Sequence, residues 1–363
     1  MKHWQDTAAV LERVPGIDSG RRAALATVVR ISGSAYRRPG AKLVVDDSGS
    51  TWGGVSGGCL EADVRELALE VIRSRTPLLR HYDTGSGGSK VWGLGLGCEG
   101  SVDVFIQPAS EPVLRDVHRR LAVLMSARAP LVLTTFVDGS RAGHTHIQVP
   151  AGVGGTGGTG DAALDEAIGR EAAALFERGE SKLVQIGPHG VFIETLTPPP
   201  YLVIFGAGDD AIPLAQLAVQ AGFDVTLVDH RPAYLAPERF PPPVRCVLRR
   251  ATEGVAGLGL GRRHFAVVQT HSLEHDREWM RALLREPLAY LGLLGPRSRE
   301  AALLQELGVE GGEPAQLFAP VGLDLGAEGP EQIAISIVAE ALAVHAGRSP
   351  GHLRARSGGI HDP

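Results

Sequence analysis

Cysteine is scarce: three residues, Cys59, Cys98 and Cys246, in a chain of 363. So small and odd a number excludes a disulfide scaffold and fits reduced thiols in the cytoplasm. No apolar run approaches the length of a membrane span. Residues 1–14, MKHWQDTAAVLERV, lack the apolar core of a signal peptide. The expectation is a cytoplasmic protein with no membrane partner. Basic residues are not in excess: the net charge is −5, which argues against a nucleic-acid partner. Neither Cys59 nor Cys98 has a C-x-x-C neighbour, and no G-x-S-x-G, H-E-x-x-H or Walker pattern occurs. Hydrolase and NTPase chemistry are weakened accordingly. There is no internal repeat.

What is present is ample apolar material, 44% of residues, in a chain long enough for two domains. Glycine (47) and proline (24) together make up about a fifth of the chain, against a usual share of roughly 12%. No collagen-like period accompanies them, so the excess predicts many tight turns and glycine-rich loops.

The second half reads as alternating short apolar strands and helices. Strands are expected at 201–205, 223–228, 244–248, 264–269 and 290–294, with helices after Gly208 and over 273–284 and 297–307. That alternation predicts a doubly wound parallel sheet. A last helix is expected from Gly329-Pro330-Glu331, where proline and an acid suit a helix start. The first half reads as a mixed α/β domain. Its expected strands are 23–31, 41–46, 102–106, 131–137, 145–149, 183–186 and 191–196, with a helix starting at Ser56 and another over 113–125. Residues 151–161, AGVGGTGGTGD, read as a flexible surface loop. The expected organisation is an N-terminal domain over 1–196, a proline-rich linker over 197–200, a C-terminal domain over 201–347 and a tail over 348–363.

Three places carry candidate chemistry. In Gly53-Gly54-Val55-Ser56-Gly57-Gly58-Cys59, Ser56 reads as a helix N-cap, and Gly54, Gly57 and Gly58 let backbone N–H groups approach a ligand. Cys59 then falls in the first helical turn, where a thiolate or an oxo-anion is favoured. The same pattern also describes a glycine-rich turn beside a small, inert buried cysteine. Trp92 to Gly100 places Cys98 after Gly95 and Gly97, in a segment that reads either as an anion-binding nest or as a loop before the next strand. Cys246 lies in an apolar strand and reads as structural.

The third place is Gly206-x-Gly208-x-x-Ala211, between a strand and a helix, with Asp229 ending the next strand. This is the pattern of a dinucleotide fold, Asp229 standing where an acid binds ribose. Asp209 and Asp210 depart from it: two acids at the helix start satisfy the dipole themselves and repel a pyrophosphate. NAD(P) binding is therefore less expected than the fold. His230-Arg231 reads either as a partner for a 2′-phosphate or as a solvated loop. His271 and His275 have i, i+4 spacing but no third ligand at fixed spacing, so no metal site is expected. Arg249-Arg250 reads as a surface pair.

Taken together, these segments resemble the XdhC/CoxI family, accessory factors of xanthine dehydrogenase and related molybdenum hydroxylases. The resemblance is carried by Ala26 to Val45 (ATVVRISGSAYRRPGAKLVV), Gly53 to Val64 (GGVSGGCLEADV), Trp92 to Pro108 (WGLGLGCEGSVDVFIQP), IFGAGDDA, THSLEHD, YLGLLGPRSR, PVGLDLGAEGPEQIAISIVAEALAV and the ending GGIHDP. Asp209 stands where many members have histidine, and Glu99 where glycine is expected. The resemblance implies an N-terminal mixed α/β domain, a C-terminal Rossmann-like sheet, and a maturation role in place of metabolite turnover. The implied cofactor is the molybdenum cofactor (molybdopterin), bound transiently, protected during sulfuration and inserted into the apo-enzyme. The implied partners are a xanthine dehydrogenase-type molybdenum hydroxylase and a cysteine desulfurase. Cys59 is the first residue implied in handling molybdenum or sulfur, and Cys98 the second. A homodimer is the expectation for such sheets. Two other readings stand beside this one: an NAD(P)-dependent oxidoreductase using the C-terminal domain, and a non-catalytic docking scaffold.

Overall fold

The computed structural model describes residues 2–13, 21–33, 37–83, 100–109, 112–149, 158–309, 314–355 and 357. Cys98 with Gly95 and Gly97, most of the 151–161 loop and the GGIHDP ending lie outside them. The chain divides into two compact units, residues 2–198 and 199–363. Among the described residues no helix is long and apolar enough to cross a membrane.

The N-terminal unit contains α1 (Lys2–Arg13), β1 (Ala23–Gly33), β2 (Lys42–Asp46), β3 (Thr51–Gly53), α2 (Glu61–Ser74), β4 (Leu78–Asp83) and β5 (Gly100–Pro108). It continues with α3 (Pro112–Ser126), β6 (Leu131–Phe136), β7 (Thr145–Gln148), α4 (Ala162–Arg178), β8 (Lys182–Ile186) and β9 (His189–Leu196). The strands form two antiparallel sheets, ordered β3-β2-β1-β5-β4 and β7-β6-β9-β8. Alternation along β1 sends Ala24, Ala26 and Val28 to one face, where α2 buries Val64, Ala68, Val71 and Ile72 against them. The other face meets the second sheet through Val29, Phe105, Val137 and Phe192. On the far side of that sheet α4 packs Ile168, Ala172 and Leu175 against Val132, Val191 and Ile193. Each of the large apolar side chains contributes about 1.5–3 kcal/mol on burial.

A charge pair is sealed inside this unit. Lys42 on β2 donates to Glu194 on β9 and, at 2.9 Å, to the carbonyl of Gly40. Both side chains are only 4% exposed. His3 on α1 stands 2.9 Å from the same Glu194 oxygen. Burial raises the Glu194 carboxyl, but the adjacent Lys42 charge and His3 outweigh it and hold it below the ordinary carboxylate range.

The C-terminal unit contains β10 (Tyr201–Phe205), α5 (Ala211–Ala221), β11 (Asp224–Asp229), β12 (Arg245–Leu248), β13 (His264–Val268), α6 (Leu273–Leu283), β14 (Tyr290–Leu293), α7 (Arg297–Glu306), β15 (Leu317–Phe318) and α8 (Gly329–His345). Its six strands pair in parallel in the order β12-β11-β10-β13-β14-β15. Helices α5 and α8 cover one face through Leu214, Ala218, Ile337 and Ala341. Helices α6 and α7 cover the other through Trp279, Met280, Leu283 and Leu303. This is the doubly wound, Rossmann-like sheet expected from the alternation of elements. The strand order reverses between β10 and β13, and the crevice outside their carboxyl ends is where ligands of such sheets bind. At the start of the unit, the carbonyls of Pro199 and Pro200 accept hydrogen bonds from Arg263 (2.9 Å) and the Asp224 N–H (3.1 Å).

One helix start is corrected. Helix α2 begins at Glu61 with Leu60 as its N-cap, not at Ser56. Gly58, at φ +112°, takes the chain into a region a helix cannot use. Cys59 therefore precedes the helix; it does not sit in its first turn.

Candidate functional site

The thiol of Cys59 stands in the loop that leaves β3 and enters α2. Ser56 and Glu61 shape that loop. The Ser56 hydroxyl oxygen accepts the N–H groups of Gly58 and Leu60, each at 3.0 Å, and the hydroxyl donates to the Glu61 carboxylate. Glu61 also accepts the N–H groups of Val55 (3.2 Å) and Ser56 (2.8 Å). Burial raises the Glu61 carboxyl, but these donors, led by the Ser56 hydroxyl, outweigh it and lower its pKa. Of the glycine N–H groups expected to face a ligand, two are satisfied internally: Gly58 donates to Ser56 and Gly54 to the Lys42 carbonyl at 2.8 Å. The N–H groups of Gly57 and Cys59 have no partner among the described residues.

Gly57 and Gly58 are exposed, Gly54 is buried, and Ser56 and Cys59 are half-buried. Cys59 rests against the apolar cluster under α2 while part of it reaches solvent. A Cβ added to Gly54 would stand in ordinary contact with Glu61 Oε1 (3.4 Å) and Arg37 Nη2 (3.7 Å), so an acid and a guanidinium flank this position. Arg37 is itself anchored to Asp6 at 3.1 Å. A half-exposed sulfur and two open N–H groups can take up a soft metal carrying anionic ligands.

The second candidate lies at the switch point of the parallel sheet. Gly206 is at φ +108°, and a Cβ there would come within 2.6 Å of the Gln269 carbonyl oxygen, so only glycine fits. Asp229 is 5% exposed, and both its oxygens are occupied. Oδ2 accepts the Ala207 N–H (2.8 Å) and Arg231 Nη2 (2.8 Å); Oδ1 accepts the Arg231 N–H and Nε, both at 2.9 Å. Burial raises the Asp229 carboxyl, but the Arg231 and Ala207 donors prevail and bring it down to about 2. The acid placed to bind a ribose is instead tied to its own chain, and Arg231 stacks 3.6 Å over the Tyr234 ring.

Asp209 and Asp210 stand at the start of α5, each engaged by another side chain. Asp210 occupies the N-cap position of α5 but caps nothing; its Oδ2 meets His271 Nε2 at 2.8 Å. Asp209 pairs with Arg239 at 2.9 Å. His271 and His275 are also separately engaged, since the His275 ring packs edge-on against His230 at 4.8 Å. No cluster of three metal-binding side chains occurs among the described residues. A cleft of about 170 Å³ opens here, lined by Gly206, Asp229, His230, Arg249, His275 and Trp279. Arg249, read as a surface residue, is half-buried and donates to the carbonyls of Gly254 (3.0 Å) and Ala256 (2.6 Å). Nothing in its doublet with Arg250 distinguishes it in the sequence. Cys246 on β12 is half-buried, and burial raises its thiol pKa.

Comparison with known proteins gives consistent matches. Residues 202–341 match the XdhC Rossmann domain, and residues 17–83 match the XdhC and CoxI family. The chain is 33% identical to a probable xanthine dehydrogenase subunit of Bacillus subtilis over 331 residues, covering 90% of this chain and 94% of that one. It is 26% identical to the molybdenum cofactor insertion chaperone PaoD of Escherichia coli over 337 residues, covering 91% of this chain and 86% of that one. A crystal structure described as a xanthine dehydrogenase from Bacillus halodurans superposes with a TM-score of 0.79 at 28% identity, covering 94% of this chain and 96% of that one.

Proposed function

The chain belongs to the XdhC and CoxI family, and from that premise we propose that it is an accessory factor that binds the molybdenum cofactor and delivers it to a xanthine dehydrogenase-type molybdenum hydroxylase. It holds the cofactor while a cysteine desulfurase supplies sulfur, and it turns over no metabolite itself. The observation that carries this reading is the Cys59 loop: a half-exposed thiol beside two backbone N–H groups with no partner among the described residues, on a frame braced by Ser56 and Glu61.

The residues fit the group. Cys59 offers a soft sulfur donor to molybdenum. The Gly57 and Cys59 N–H groups are open to oxo or phosphate oxygens. Glu61 braces the loop by binding the Val55 and Ser56 amides and the Ser56 hydroxyl. Bound there, the cofactor supplies the oxo-metal centre that the client enzyme needs. Cys98 is the second thiol in this reading, with Gly95 and Gly97 before it. The C-terminal crevice, with Gly206, Gly208 and Ala211, is in this reading a cofactor-binding surface of its own unit that makes no ribose contact through Asp229. Asp229 contributes there by fixing Ala207 and Arg231.

The test is anaerobic loading of the full chain with molybdenum cofactor, followed by gel filtration and assay of bound pterin. The native chain retains cofactor and activates apo-hydroxylase; Cys59→Ala does neither. Equal retention by both would remove Cys59 from the role. Client binding that survives without any bound pterin would favour the docking scaffold. The NAD(P)-dependent oxidoreductase is the weaker reading, because Asp229 has no free oxygen for a ribose hydroxyl.

A further inference from the structure

A second cleft, of about 200 Å³, opens at the same strand ends on the side covered by α5 and α8. Its walls are apolar: Leu214 on α5, Leu294 just after β14, and Ile333 and Ile337 on α8. Gln269, the residue after β13, lines it as well. Asp210 and His271, joined at 2.8 Å, stand beside it.

Gln269 is the informative residue. It is 2% exposed, and its Nε2 has no hydrogen-bond partner among the described residues. Its backbone is fixed, because its N–H donates to the Phe205 carbonyl at 2.9 Å and its own carbonyl lies against Gly206. Native structures leave few buried amides unpaired, and those few call for a partner. The terminal torsion of a glutamine is soft, so the amide can turn toward the cleft while the backbone stays still. His271 supplies a second sign. It holds φ +59°, a left-handed conformation rare for a residue with a side chain, at the rim of the same cleft. Such conformations persist where the surrounding structure requires them, and they gather at ligand sites.

The chemistry of an occupant follows. Apolar walls accept the faces of a flat ring. A carboxamide is met on its edge by a lactam, which offers one N–H and one C=O and so pairs with either orientation of the amide. Phosphate is disfavoured: Asp210 is present, and the one cation-forming side chain, His271, is paired with it. The volume lies below the roughly 300–1,000 Å³ of sites for drug-sized ligands, which suits one or two fused rings and not a whole dinucleotide. We propose that this cleft is a binding site for a planar heterocyclic lactam, the group shared by oxopurines and pterins, with Gln269 as the residue that recognises it. The site needs no metal and does not depend on Cys59.

Calorimetry on the full chain tests this with hypoxanthine, pterin and unsubstituted purine, which has the ring but no lactam. Hypoxanthine or pterin binds at least tenfold more tightly than purine, and the better of the two identifies the source of the ring. Gln269→Leu removes that preference, while its melting curve reports whether the fold persists. Ile333→Trp, at the cleft wall, blocks the lactam with Gln269 intact. Equal binding of purine and hypoxanthine, unchanged lactam affinity in both variants, or no binding of either lactam would each overturn the proposal. Cofactor retention by Cys59→Ala is measured separately, so failure of this proposal and failure of the Cys59 reading are distinguishable.

Discussion

Arg231 grips Asp229 by both oxygens, Nε to Oδ1 at 2.9 Å and Nη2 to Oδ2 at 2.8 Å, within a carboxylate that also takes two backbone N–H groups. A fork of this kind is among the stronger protein hydrogen bonds. With the native chain, millimolar NAD(H) gives no calorimetric heat. Arg231→Ala frees one hydrogen-bonding position on each oxygen, and binding becomes measurable. Its cost in stability is about 1–2 kcal/mol, since the guanidinium is partly exposed. If no binding is gained, Asp209 and Asp210 become the main obstacle.

The buried pair in the N-terminal unit makes an asymmetric prediction. Lys42→Met strands the Glu194 charge in the core and costs about 3–5 kcal/mol. Adding Glu194→Leu recovers most of that loss, because an apolar pair replaces an ionic one. Urea denaturation of the two variants measures the difference. Equal losses would mean the pair is not sealed from water.

His118 gives a pH dependence. It is buried on α3, and burial, followed by the nearby Lys42 charge, lowers its pKa to about 4. In the unfolded chain it titrates near 6.5. Between those values the unfolded state binds a proton that the folded state refuses. Stability is therefore full above pH 6.5 and falls by about 3 kcal/mol as pH drops to 4. His118→Gln flattens this part of the stability-pH curve in chemical denaturation. A variant with the native slope would exclude His118 as its origin.

Ser56→Ala removes the acceptor of two N–H groups and the donor to Glu61. The loop loses about 1–2 kcal/mol, seen in a lowered melting temperature, and cofactor retention falls although Cys59 is intact. Ser56→Thr, which keeps the hydroxyl, restores both. Retention that follows Cys59 alone would show the brace to be dispensable.

The C-terminal sheet is legible in the sequence because parallel strands covered on both faces are short apolar runs, as YLVIF at 201–205 is. Helix α4 is not: its buried positions are few, Ile168, Ala172 and Leu175, in a stretch rich in alanine and charge. Strand β4, LLRHYD, is a largely exposed edge whose apolar residues do not alternate, and β15 has only two residues. Around Cys59 the glycines are legible but the brace is not. Glu61 stands five residues after Ser56, where a capping box has its acid three residues on, and the glycine bend makes the longer reach possible. The grip of Arg231 on Asp229 has no signature either, since the same acid at a strand end serves a ribose or a neighbouring guanidinium equally well.

The N-terminal unit joins distant parts of the polypeptide. Strand β1 needs β5, which begins at Gly100, and Lys42 waits for a counter-charge that lies 152 residues further along the chain. A gene fragment ending at residue 83, where the match to the XdhC and CoxI family stops, yields a bare strand edge and an unneutralised interior cation. During synthesis, the Lys42 charge finds its partner only once Glu194 has left the ribosome, so this half completes its interior late, as one unit.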